Sequence, residues 1–127
     1  MVAVDINGSV AYGGQPGRRH LSGIGASRRS SFLEESLIDH YSYTSVGEAA
    51  FYCRQVLAEA GIHLGASSGA VVAACMRYLS EHPDVTDALC ICADSGEKYE
   101  STVYSDSWIE KIGETLHPAE TGRTGGA

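Results

Sequence analysis

The sequence predicts an α/β fold with a mainly parallel sheet, and three observations carry that reading. Short runs suited to strands stand at residues 2–5, 39–44 and 88–93. Two long stretches with apolar residues at helical spacing separate the second run from the third, and each has its own start and stop signals. At 127 residues, 43% hydrophobic and 20% charged, the chain has the length and balance of one domain with a core of its own.

The first strand, 2–5, is apolar and closes on Asp5, with neither turn nor helix before it. Glycines at 8, 13, 14, 17, 23 and 25, together with Pro16, mark a long loop that holds Arg18, Arg19, Arg28 and Arg29. A short helix is expected over 31–37. Aromatic and polar residues then alternate over 39–44, the pattern of a second strand. Ser45, with Glu48 three positions on, forms a capping box for a helix over 46–60, which Gly61 ends. A second helix is expected from Ser68 to about Glu81, stopped near Pro83, with an alanine and valine face fit for close packing on a sheet. The third strand follows at 88–93. Residues 94–99 then form a loop at its carboxyl end, where open α/β sheets place their ligands. An amphipathic helix over 107–116 completes a domain of residues 1–117. The Gly- and Thr-rich stretch 118–127 is expected to be a disordered tail.

Several function classes are excluded at this level. A net charge of −7 argues against nucleic acid and anionic membranes as partners, since both need clustered basic residues. No apolar run approaches a membrane span, and the first residues lack the basic flank and long apolar stretch of a signal peptide. A cytoplasmic setting is the expectation. The four cysteines include no Cys-x-x-Cys pair and no histidine at ligand spacing, so they read as small core residues, with Cys90 and Cys92 on one face of a buried strand. The five histidines are scattered and form no metal motif.

The strongest functional signal is the turn Gly65-Ala66-Ser67-Ser68-Gly69-Ala70 at a helix start. Backbone N–H groups converge there with positive partial charge, so hydroxyls at that place suit a polar ligand atom. As plain structure, Ser67 and Ser68 are helix caps. Gly23-Ile24-Gly25-Ala26-Ser27 is the second candidate, because glycines let backbone approach a flat ligand; the alternative is a surface turn. Arg28 stands where a dinucleotide fingerprint would need its third glycine. Arg18 and Arg19 precede this loop, and two readings stand for them: guanidinium groups that take a phosphate, or a solvated basic turn.

Taken in order, "VAVDINGSVAYGG", "GIGAS", "SVGEAAFYCRQVLAEAGIHLGASSGAVVAA" and "ADSGEKYESTVYSDSW" resemble the C-terminal third of the cysteine synthase family of fold-type II pyridoxal-phosphate (PLP) enzymes, over about residues 2–110. The resemblance implies a partial three-layer Rossmann-like large domain of the tryptophan synthase β type. It also implies PLP as cofactor, with Ser67 bonding the pyridine nitrogen and Ser68 left as the cap. Gly23, Ile24, Gly25, Ala26 and Ser27 would face substrate, and Arg19 would hold a phosphate leaving group. The arginines before "GIGAS" and the "YSDSW" stretch are most similar to a branch of the family that serves siderophore and 2,3-diaminopropionate biosynthesis and joins O-phospho-L-serine to L-glutamate. A cysteine synthase using acetylserine or phosphoserine is the neighbouring reading. Lys98 departs from the family pattern, standing where an arginine is common in "DSGEKY".

The family's Schiff-base lysine, its asparagine loop for the substrate carboxylate and its Gly/Thr loop for the cofactor phosphate all match nothing here, so no catalytic residue is expected in this chain. Lys98 and Lys111 are its only lysines, and neither stands at the Schiff-base position. The expected partner is therefore a missing N-terminal portion or a second polypeptide, with a homodimer for the complete enzyme. A truncated, non-catalytic chain that binds a partner is the rival reading.

Overall fold

The structure, a computed structural model, describes residues 1–120; the part of the expected tail from 121 onward lies outside them. Strand β1 (Val2–Ile6) pairs in parallel with β2 (His40–Thr44), in a register that sets Val2 beside His40 and Ile6 beside Thr44. Helix α1 (Val46–Ala60) follows β2 directly, and α2 (Ala66–Glu81) packs against α1 and back onto both strands. The α/β class and the parallel pairing are therefore present.

The capping box forms as the sequence predicts. Glu48 N donates to Ser45 Oγ at 3.1 Å, Ser45 N donates to Glu48 Oε1 at 3.0 Å, and Gly61 ends α1 in the left-handed region at φ +69°. Two helices approach closely where Gly69 of α2 faces α1, because a Cβ there would collide with the Ala49 carbonyl oxygen and Cys53 Sγ. Glu48 also holds the layers together. Its Oε2 forms a buried ion pair with Arg77 Nη2, and Arg77 reaches on to Ser42 Oγ at 3.1 Å, Tyr43 O at 3.2 Å and Glu120 O at 3.2 Å. Within residues 118–120, Ala119 N also donates to Tyr52 Oη at 3.1 Å. The opposite face of the sheet meets the 7–17 loop, where the Tyr12 ring lies tilted against Tyr41 with centroids 5.4 Å apart and Gly14 packs on the Tyr43 ring.

Four expectations are corrected. Residues 88–93 are not a strand: no backbone group in them makes a hydrogen bond among the described residues, and an extended segment without a ladder partner is simply open chain. Cys90 is accordingly half-buried and Cys92 exposed, Cys75 is half-buried, and only Cys53 is a core cysteine. The helix expected over 31–37 contracts to a single 3-10 turn, Glu35–Leu37, with no buried residue to anchor more. The last helix, α3 (Asp106–Lys111), begins one residue earlier than expected, with Ser105 capping it through Trp108 N at 3.3 Å. It ends early, where Gly113 turns left-handed at φ +76°.

Candidate functional site

Helix α2 opens at Ala66 with Gly65 as its N-cap, so no side chain closes its first turn. Ser68 is not the cap the sequence suggests. It is fully buried, and its Oγ donates instead to the Asp94 carbonyl at 3.5 Å. Ser67, one position earlier, is half-buried, and its hydroxyl makes no hydrogen bond among the described residues. The N–H groups of Ala66, Ser67 and Ser68 precede the first intrahelical bond, from Gly69 N to Gly65 O at 3.1 Å. A free hydroxyl thus stands among free donors at the positive end of a sixteen-residue helix.

The turn is fastened from three sides. Cys53 Sγ donates to Gly65 O at 3.4 Å, Tyr104 Oη donates to Leu64 O at 2.6 Å, and Gly65 N donates to Asp94 O at 3.1 Å. Burial pushes the Cys53 thiol up to about 11, with the Tyr104 and Gly69 hydrogen bonds pulling it weakly the other way. Cys53 is therefore an inert thiol at neutral pH, placed to hold the turn. Position 65 must be glycine for a local reason: a Cβ there would enter the space of Asp94 Oδ1.

Asp94 and Tyr99 link this turn to the glycine loop. Tyr99 Oη donates to Asp94 Oδ2 at 2.8 Å, and that bond, followed by burial, raises the Tyr99 phenol above its ordinary value. A Cβ added to Gly23, which sits at φ +84°, would lie 3.2 Å from the same Tyr99 oxygen. The structure thus brings Gly23 to Tyr99, and Tyr99 through Asp94 to Gly65.

The rest of the 23–27 loop hangs on Ser9. Its fully buried Oγ accepts from Ala26 N at 2.9 Å and from Ala11 N at 3.2 Å, and Val10 N donates to Ala26 O at 2.9 Å. Gly25, at φ +88°, lies against the Ile6 side chain, where a Cβ would meet Cγ2 at 2.8 Å. Ile24 and Ala26 are half-buried, while Ser27 is exposed and accepts from Arg19 Nη2 at 2.6 Å. Arg19 is thereby folded over its own loop, and Arg18 is exposed. Arg29 pairs with Glu35, which neutralises part of the basic cluster.

Sequence reasoning did not single out Ser9, Cys53 or Tyr99 as the groups that carry this geometry. Only the glycine that precedes Ser9 and the "ADSGEKY" string hinted at turns there. Both lysines, Lys98 and Lys111, are exposed, and the described residues contain no group of His, Cys, Asp and Glu fit to hold a metal. None of their helices is long and apolar enough to cross a membrane.

No family model matches the chain. A curated relative, the N-(2-amino-2-carboxyethyl)-L-glutamate synthase of Ralstonia nicotianae, is 42% identical over 112 residues, which are 88% of this chain and 33% of that protein. A cysteine synthase from Entamoeba histolytica superposes with a TM-score of 0.75 at 26% identity, covering 82% of this chain and 32% of its own. A ligand-bound O-ureido-L-serine synthase variant superposes with a TM-score of 0.71 at 29% identity, over 88% of this chain and 38% of its own. The O-acetylserine-dependent cystathionine β-synthase of Helicobacter pylori does so with 0.65 at 31%, over 80% and 33%. The chain spans about a third of the length of these proteins. Sequence and fold converge on one group: what this chain is similar to, over about a third of their length, is the cysteine synthase-like PLP enzymes.

Proposed function

We propose that this chain supplies the ring-binding end of the PLP site in a β-replacement synthase that joins O-phospho-L-serine and L-glutamate to make N-(2-amino-2-carboxyethyl)-L-glutamate, a step toward 2,3-diaminopropionate and siderophores. The observation that carries the cofactor part is the unpartnered Ser67 hydroxyl in the uncapped first turn of α2. The substrate pair rests on the kinship with the Ralstonia synthase.

When bound, PLP supplies the electron sink that lets a leaving group depart from a β-carbon. Ser67 Oγ would donate to the ring nitrogen of the bound group, and the positive end of α2 would oppose protonation there. Gly65 and Gly23 leave room for Asp94 and Tyr99, whose hydrogen bond holds the two turns in register. Arg19 exchanges its Ser27 partner for the phosphate of the departing group, a stronger charge-assisted contact. Both lysines among these residues are exposed, so the covalent hold on the cofactor would fall to a residue outside them.

Backbone amide NMR of the chain titrated with PLP tests the ring-binding role. Shifts confined to 65–69 and 23–27 are expected, and Ser67→Ala should weaken binding by roughly three- to tenfold, the worth of one hydrogen bond. Shifts elsewhere, or equal binding by Ser67→Ala, would refute it.

A further inference from the structure

We infer that Cys75 and Cys90 form a reversible redox site, at which a small disulfide of the glutathione class joins the two thiols into an intramolecular bridge between α2 and residues 88–93. The pair lies apart from the Ser67 turn and needs no cofactor.

Cys75 and Cys90 line one cavity of about 430 Å³, together with Val4, Val71 and Tyr78. They reach it from separate elements: Cys75 stands on α2, and Cys90 belongs to the segment that follows that helix. Both are free thiols, and both are half-buried. Burial pushes the Cys90 thiol up to about 11, and Cys75 adds to the rise, by a side-chain hydrogen bond and by charge repulsion. A thiol hydrogen bond acts only at contact range, so the two side chains are neighbours across the cavity. Cys92 acts on Cys90 by repulsion alone and is exposed.

A bridge draws two sulfur atoms to a bond length of about 2 Å, closer than thiols in contact, so one partner must shift. Cys75 is fixed by the hydrogen bonds of its helix. Residues 88–93 make no backbone hydrogen bond among the described residues, so Cys90 can shift without breaking one. Cys53 takes no part, because it is fully buried and its Sγ donates to Gly65 O at 3.4 Å.

The exchange is balanced by the small disulfide alone. The Cys75 thiolate attacks one sulfur of that disulfide and expels a small thiolate; the Cys90 thiolate then attacks the Cys75 sulfur of the mixed disulfide and expels the second. The two cysteines give up two electrons to the small disulfide, and their two protons end on the two small thiols. Cys90 is the slow partner, since little of it is ionised at neutral pH. The bridge would tie α2 to the chain just before Asp94, whose carbonyl accepts from Gly65 N and Ser68 Oγ. It would thus fasten the start of α2 at a second point.

Glutathione disulfide added to the full 127-residue chain tests this, read by intact mass and by peptide mapping without reductant. The mass should fall by two hydrogens with no glutathione retained, the peptides that carry Cys75 and Cys90 should be found joined, and dithiothreitol should reverse both changes. Alkylation of Cys75 and Cys90 should drop about tenfold or more, with Cys53 unreactive before and after. Cys92→Ser, at an exposed position, should close as the parent does, whereas Cys75→Ser should stop at a glutathione adduct. A stable adduct on the parent chain, no reaction at all, a bridge that includes Cys92, or a disulfide between two copies would each overturn the proposal.

Discussion

Residues 88–93 and residues 94–104 are neighbours in the chain, and they are held in opposite ways. From Asp94 onward several polar groups have distant partners: Asp94 O takes Gly65 N, Asp94 Oδ2 takes Tyr99, Gly96 N reaches His63 O at 2.9 Å and Tyr104 reaches Leu64. Just before it, six residues with a stronger apolar pattern make no backbone hydrogen bond among the described residues. Apolar composition therefore does not make a strand. A strand exists when its N–H and C=O groups find a ladder, and burial follows from that pairing.

The fastened region is the one to break first. Glu48→Ala would leave Arg77 buried without its carboxylate and would also dissolve the capping box of α1, a loss of about 3–5 kcal/mol. Urea denaturation should show it, and a cost below 1 kcal/mol would mean that the two helices are not held by this pair. A smaller effect is expected from pH. The Cys53 thiol is favoured in its neutral form by burial, with its value moved from 9.0 to about 11 in the folded chain. The folded state therefore holds a proton that the unfolded state releases. The stabilisation is complete below pH 9 and is lost between about pH 9 and 11, on the order of 2 kcal/mol. Melting temperature against pH should fall less steeply across that window in Cys53→Ala than in the parent. The unfastened region should give the smallest response: Leu89→Ser in the chain alone is expected to change stability by less than about 0.5 kcal/mol, since the side chain is already in water. A larger loss in chemical denaturation would show that 88–93 is packed more firmly than its contacts suggest.

Legibility followed the range of the interactions. The start of α1 was readable because Ser45 and Glu48 satisfy each other within one turn, and its end because Gly61 alone takes φ +69° without strain. Ser68 was misread as a cap because its true partner, the Asp94 carbonyl, lies twenty-six positions away. The same holds for the site. Gly23, Gly25 and Gly65 announced turns, but nothing near them in sequence says that Tyr99 joins two of those turns, or that Ser9 supports the whole 23–27 loop. Arg77 reads as one more helix cation until its partners from β2, α1 and residue 120 are seen around it.

By itself the sequence determined the α/β class, the parallel pairing of strands that flank helices, the boundaries of α1 and the glycine turns, since propensity, capping and backbone sterics act within a few residues. Tertiary structure alone decided whether 88–93 would be a strand, which serine of the α2 turn would be free, and how the two glycine loops meet. Each of these depends on whether a hydrogen-bond partner distant in the chain is met.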